Sequence, residues 1–471
     1  MKRLLLILLL CPFSLKAEVR LPAILSDHMV LQRAERVPVW GWAAPQEQVT
    51  VTVAGYSQST RAAPDGNWRV EFNLADAAPA ATVMRVRGAS NELIVTDVLL
   101  GQVWLASGQS NMQKPLGEQK GQLPTFGAEA EIAAADHPEL RLFKVARNAQ
   151  KQPAGDVKGS WVRCSPATIV ESRFSAAAYY FGRRVQQALK QPVGLIDASV
   201  GGTRIELWTP PATGKEAAAP AGDSVLYNGM IAGLAPFAIK GVLWYQGESN
   251  IIDNDDGAAY TPRMAALVEG WRRQWRADFP FYYVQVAPHL YSVVRPAHLL
   301  HGAESEPMLW EAQAQALRIP NTAMIVTTDL VDDLRDIHPR DKRSVGLRLA
   351  NLALAKSYGQ GGIEPFGPTY RSIEIVGDKA VLKFDHADGL ASRDGKPLDW
   401  FEIAGDDGRF QPALATIDGA GIVVRSGAVD RPVSVRFAWH EAAQPNLVNR
   451  AGLPAVPFRS EKPIPSNALS R

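Results

Sequence analysis

The stretch Val98–Met112 reads VLLGQVWLASGQSNM, an apolar run as far as Ala106 followed by the small and polar cluster Ser107-Gly108-Gln109-Ser110-Asn111. A run of this length, apolar but for Gln102, suits a strand buried on both faces, because neither face meets water. The residues after it favour a sharp turn. The same texture recurs at QPVGLIDASV (Gln191–Val200), IKGVLWYQ (Ile239–Gln246), FYYVQVAP (Phe281–Pro288) and AMIVTTDL (Ala323–Leu330). Helical periodicity lies between these runs, over Ser175–Leu189, Pro262–Trp275, Met308–Leu317 and Lys342–Tyr358. Alternating strands and helices predict an α/β domain, a parallel sheet with helices on both faces. Gln113–Gln152 and Pro210–Ser224 follow neither pattern and are expected to be loops or insertions.

This α/β region is expected to span residues 98–362. Before it, residues 20–97 alternate apolar and polar side chains in VPVWGWA, QVTVTVAG, NWRVEF and TVMRVRG, with Asp65-Gly66 as a turn, and predict a small β-sandwich. After it, residues 366–460 return to short strands (RSIEIVG, AVLKFDHA, WFEIAG, GIVVRSG, VSVRFAWH) and predict a second one, followed by a Pro-rich loose end. Residues 1–17, MKRLLLILLLCPFSLKA, combine a charged start, a short apolar run and a small residue before Glu18, the pattern of a secretory signal peptide. With that segment removed, Cys164 is the one remaining cysteine, so no intramolecular disulfide is expected. Export without disulfides points to a bacterial periplasm or exterior. The 471 residues carry a formal charge of +2 with acids and bases interspersed, which argues against nucleic-acid and polybasic membrane partners. No other run is long enough to span a membrane. The scattered histidines have no metal-ligand spacing, so neither metal nor cofactor is expected.

In an open parallel sheet, ligands bind beyond the carboxyl ends of the strands. Four such ends carry chemistry: Ser110; Gly201-Gly202-Thr203; Gln246-Gly247-Glu248-Ser249-Asn250; and VDDLRDIHPRDK (Val331–Lys342) with His338. A serine hydroxyl needs a base within hydrogen-bond reach to become a nucleophile. His338 suits that task, and Asp336 can accept from its other ring nitrogen. A Gly pair brings backbone N–H groups close to a developing oxyanion, and an amide from Gln246 or Asn250 can add a further donor. Each piece alone has a structural reading, as a cap, a turn or a surface loop; the combination at equivalent strand ends points to a serine hydrolase. The G-x-S-x-G elbow of α/β-hydrolases is absent around Ser110.

VWLASGQSNM, GLIDASVGGTRIELW, GVLWYQGESN and DIHPRDKRSVGLRLA resemble the signature segments of SGNH-type hydrolases, and of the sialate O-acetylesterase family in particular. LSDHMVLQR near the start, and FEIAGDDGRFQPALA and NLVNRAGLPAVPFR near the end, extend the resemblance over the mature chain. It implies a flavodoxin-like three-layer domain with attached β domains, and metal-free removal of O-acetyl groups from carbohydrate. It implies Ser110 as nucleophile, His338 as base, and Ser110, Gly202 and Gln246 as the oxyanion hole, with Gly201 as the alternative glycine. Many SGNH enzymes place Asp three residues before the histidine, where this chain has Arg335, so Asp336 in DIHP is the expected third member, with Asp332, Asp333 or a backbone carbonyl orienting His338 as the open alternatives. Asn111, Gly201, Arg204, Glu248, Asn250 and Arg335 are expected near substrate, the arginines as partners for a sugar carboxylate. Acetylated sialic acids, acetylated xylan or xyloglucan, and non-catalytic glycan binding are the alternatives that remain open at this point.

Overall fold

The computed structural model describes residues 18–211, 224–253, 257, 259–294, 299 and 301–461. The expected signal peptide, most of Pro210–Ser224, part of Ile251–Ala259 and the chain end lie outside the described residues. The N-terminal region contributes β1 (Val30–Gln32), β2 (Val37–Trp42), β3 (Gln48–Val53), β4 (Tyr56–Arg61), β5 (Asn67–Phe72) and β6 (Thr82–Arg87). β2 pairs with β5, and β3 with β4 and β6, all antiparallel.

The expected domain boundary at 97/98 falls inside a single strand. β7 runs 17 residues, Glu92–Gly108, pairing antiparallel with β6 over its first half and becoming the middle of the parallel sheet over its second. The register with β6 shifts between Met84↔Val95 and Thr82↔Val98, and Asp97 at that bulge has φ +54°. Its carboxylate accepts from His28 Nδ1 (2.7 Å), from Arg141 (2.7 and 3.1 Å) and from Arg163 Nε (2.8 Å), tying both halves of the strand to β8 and β9. These charge-assisted bonds hold the Asp97 carboxyl well below the usual range against its partial burial.

The α/β region continues with α1 (Ser110–Gln113), α2 (Ala128–Ala133), β8 (His137–Lys144), β9 (Trp161–Cys164), α3 (Pro166–Glu171), α4 (Ala176–Leu189) and β10 (Val193–Ser199). Then follow β11 (Gly241–Tyr245), α5 (Glu248–Ile252), α6 (Tyr260–Trp275), β12 (Phe281–Val284), α7 (Tyr291–Val294), α8 (Ser305–Gln315), β13 (Thr322–Ile325) and α9 (Lys342–Lys356). The sheet order β10-β7-β11-β12-β13 is parallel throughout and matches the flavodoxin-like order, with β8 added beside β10 and β9 antiparallel at the edge. Gln113–Gln152, expected to be loops or insertions, contains α2 and β8 and so is not loop throughout.

Alternate strand residues serve two cores, as a doubly covered sheet requires. Trp104, Ala106, Leu243 and Tyr245 pack with α4 and α9, whereas Val103, Leu105, Val242 and Trp244 pack toward α6 and α8. Ser175 and Asp341 cap α4 and α9, their side chains accepting from Ala178 N and Ser344 N. No helix among the described residues is long and apolar enough to cross a membrane.

The C-terminal region forms two four-stranded antiparallel sheets, one including Thr369–Val376 and Lys379–Asp385, the other Phe401–Ala404 and Ser434–Phe437, and a two-stranded pair of Ala391–Ser392 with Leu447–Val448. It docks on the α/β region through Arg459, bidentate to Glu311 at 2.9 and 2.7 Å. Glu441 also accepts from Ser292 N (2.9 Å), and Gln444 Nε2 donates to Val331 O (3.2 Å), at the start of the His338 loop.

β7 ends at Gly108, with φ +132°, and a Cβ there would lie 2.2 Å from Tyr245 O. The Gly108→Ala chain is therefore expected to be less stable by roughly 1–3 kcal/mol, the usual cost of overpacking. A denaturant-unfolding midpoint equal to that of the natural chain would contradict this packing.

Candidate active site

The strands β7, β10 and β11 stop side by side, so the loops after them share one wall. Gln109 N donates to Tyr245 O (2.9 Å) and Val200 N to Gly108 O (3.1 Å). Ser110 then opens the short helix α1 and keeps 9% of its surface exposed. Among the described residues, no group hydrogen-bonds its hydroxyl. Gly201 sits directly behind it: a Cβ on Gly201 would be 3.3 Å from Ser110 Cβ.

The two glycines divide their tasks. Gly201 N donates to Gln113 Oε1 at 2.8 Å, so the alternative oxyanion donor is already occupied. Gly202 has φ +70° with open space where a Cβ would stand, and its N–H meets no acceptor among the described residues. Gln246 departs from the expectation. Its side chain is fully buried, with Nε2 within reach of Asn250 Oδ1 (2.8 Å), Gln109 Oε1 (3.1 Å) and Thr203 O (3.1 Å), while its Oε1 accepts from Tyr260 OH (2.9 Å). The amide hydrogens are committed inside the scaffold, which corrects the expected place of Gln246 in the oxyanion hole.

The His338 loop lies against the Ser110 loop through Asn111 Nδ2, which donates to Ile337 O at 3.0 Å. Asp336 Oδ1 accepts from His338 N at 2.9 Å and lies 3.5 Å from His338 Nδ1, so its main grip is on the backbone. His338 Nε2 lies 3.4 Å from Gln122 Nε2 rather than bonding Ser110. Lys114 Nζ holds that segment by donating to Gln122 Oε1 (3.2 Å) and Leu123 O (2.6 Å). Burial, reinforced by the nearby Lys342 and opposed by Asp336, lowers the His338 pKa to about 4.

Three of the expected substrate contacts are also corrected. Asn111, Glu248 and Asn250 are buried, and each bonds other parts of the protein. Asn250 Oδ1 receives Gln246 Nε2 and Ile205 N, and its Nδ2 reaches Glu206 Oε2. The two arginines differ. Arg204 is paired with Asp253 at 3.2 Å, whereas Arg335 is exposed and its guanidinium has no partner among the described residues.

Sequence reasoning missed Gln109, Gln113, Gln122 and Lys342. Gln109 Oε1 accepts from Ser249 N (3.1 Å) and Gln246 Nε2, and Lys342 Nζ donates to Asn111 Oδ1 (2.6 Å). The two glutamines around Ser110 recur at a turn, a usable signal; Lys342 is indistinguishable from any first-turn helix residue. Among the described residues, no cluster of His, Cys, Asp and Glu can hold a metal ion.

Comparison with known proteins gives this arrangement its class. The family profile described as carbohydrate esterase, sialic acid-specific acetylesterase, matches residues 100–355, from β7 to the end of α9. A solved carbohydrate acetylesterase from Xanthomonas citri superposes with TM-score 0.85 at 36% identity, covering 94% of this chain and 100% of that one. The chain is a carboxylic ester hydrolase. The human sialate O-acetylesterase is 30% identical over 93% of this chain and 92% of its own length, and the rat one 28% over 89% of each. The chain belongs to the sialic acid-specific acetylesterase family of carbohydrate esterases.

The lowered His338 pKa sets a pH dependence. With His338 as the expected base, active only when unprotonated, kcat/KM for an aryl acetate is expected to hold from neutral pH down to about pH 5 and to fall as pH drops through about 4. An acidic limb centred near the ordinary histidine value, about 6.5, would contradict the burial of His338.

Proposed function

We propose that the protein is an exported serine esterase that removes O-acetyl groups from sialic acids, with Ser110 as nucleophile, His338 as base and Asp336 orienting the base. One observation carries this reading: among the described residues, Ser110 Oγ and the Gly202 N–H both lack a partner at the same strand ends, while the groups around them are bonded into the scaffold.

In the first step Ser110 Oγ attacks the acetyl carbonyl carbon and His338 Nε2, exchanging Gln122 for the hydroxyl, takes the proton. The backbone N–H groups of Ser110 and Gly202 receive the oxyanion; a single such donor is worth about 3 kcal/mol. The carbon–oxygen bond to the sugar then breaks, the sugar oxygen takes the proton from His338, and the acetyl group remains on Ser110. Water, deprotonated by His338, attacks the acetyl carbon; the bond to Ser110 Oγ breaks, His338 returns the proton to that oxygen, and acetate leaves. Removal of residues 1–17 and delivery to the periplasm or exterior complete the reading, with the β regions on either side as sandwich-like supports.

Arg335 favours sialic acid over the neutral plant polysaccharides xylan and xyloglucan: a free guanidinium three residues from the base suits a sugar carboxylate. Acetate release should be measured on O-acetylated sialic acid, acetylxylan and acetylated xyloglucan. Sialic acid is expected to be the best substrate, Ser110→Ala to lose activity by on the order of 10⁵-fold or more, and Arg335→Gln to raise KM for sialic acid but not for an aryl acetate. Faster release from xylan, or full activity in Ser110→Ala, would overturn the substrate or the nucleophile respectively.

A further inference from the structure

We propose that Asn111, clamped between Glu248 and Lys342, is the positioning residue that sets the spacing between the nucleophile loop and the base loop. The inference rests on the assignment of Ser110 and His338 above. Asn111 directly follows the nucleophile, and the carbonyl it bonds, Ile337 O, directly precedes the base. Its second Nδ2 hydrogen goes to Glu248 Oε1 (2.5 Å), and its Oδ1 accepts from Lys342 Nζ (2.6 Å). One planar amide thus joins the loops after β7 and β11 to the loop between β13 and α9.

The surroundings have no simpler explanation. Asn111, Glu248 and Lys342 are each at most 1% exposed, and burying a carboxylate and an ammonium is costly unless they are paired and hydrogen-bonded. Lys342 also occupies the first position of the 15-residue helix α9, where the helix dipole disfavours a cation. What favours it there is the amide oxygen of Asn111, the Glu248 carboxylate beyond that amide and the Tyr245 ring 5.3 Å beneath it. Glu248 and Lys342 therefore act on Asn111 from opposite sides, a carboxyl oxygen accepting from the amide N–H and Nζ donating to the amide oxygen, and fix its plane.

The residue type follows from this geometry. Asn supplies two donors and one acceptor on a short stem. Asp at this place would lose both donors and set a carboxylate against Glu248, while Ala would release Ile337 O altogether.

The test is steady-state hydrolysis of an aryl acetate by full-length chains carrying Asn111→Ala, Asn111→Asp, Glu248→Gln, Asn111→Ala with Glu248→Gln, and Ser110→Ala. Misplacing reacting groups by about 1 Å costs on the order of 10²-fold, so both Asn111 variants are expected to lose about 100-fold in kcat with KM changed less than about threefold. Glu248→Gln still offers an oxygen to Asn111 and is expected to keep kcat within about tenfold, and to cost nothing further once Asn111 is Ala. Asn111→Asp preserves size and decides the matter if thermal unfolding shows that Asn111→Ala is not folded. Either Asn111 variant keeping kcat within about threefold of the natural chain, or losing only in KM, overturns the proposal. Turnover retained by Ser110→Ala overturns instead the nucleophile assignment on which it rests.

Discussion

The end of β7 leaves no room for a side chain. Gly108 passes so close to the Tyr245 carbonyl that only hydrogen fits, and its own carbonyl receives Val200 N from the neighbouring strand. That contact holds the carboxyl ends of β10, β7 and β11 in one row, at the point where the chain order of the sheet reverses direction. The candidate site follows from the row. Ser110 emerges two residues later, Gly201 backs against it, and the loop after β11 packs below. The long β7 also carries the N-terminal sheet, so the position of Ser110 is set by both layers at once. Asp97, with His28, Arg141 and Arg163 as its partners, locks the bulge between them.

The floor of the site is polar, unlike the two apolar cores around the sheet. Gln109, Gln113, Gln246 and Asn250 bond one another or the backbone of adjoining loops, and Glu248 and Lys342 meet through Asn111. Apolar packing tolerates sliding, whereas a buried amide with its partners matched has one low-energy arrangement. Such a floor fixes loops that strands alone cannot place. The C-terminal region adds a second constraint from outside, since Gln444 reaches the Val331 backbone at the start of the His338 loop and Glu441 the Ser292 backbone beyond β12.

Much of this was legible in the residues. Apolar runs located the parallel strands, and the helical pattern Lys342–Tyr358 differs from the observed α9, Lys342–Lys356, only at its frayed end. β8 escaped because HPELRLFK mixes charges into a strand whose first three residues are not buried. The domain boundary at residue 97 escaped because a strand can change sheets without changing texture. At the site, the residue types were readable but their depth was not. Asn111, Glu248 and Asn250 look like substrate contacts because polar loop residues usually face water; only the folded arrangement shows them buried and bonded. The same reason separates Arg204, paired with Asp253, from the unpaired Arg335.

The central claim is that Ser110 is the atom donor to the acyl group, and labelling tests it most directly. The full-length protein is treated with an aryl phosphonate and analysed by intact mass and peptide mapping. The account predicts one adduct per chain, on the peptide containing Ser110, formed in step with loss of esterase activity. Inactivation with the adduct on any other residue, or full activity with Ser110 quantitatively modified, would contradict it.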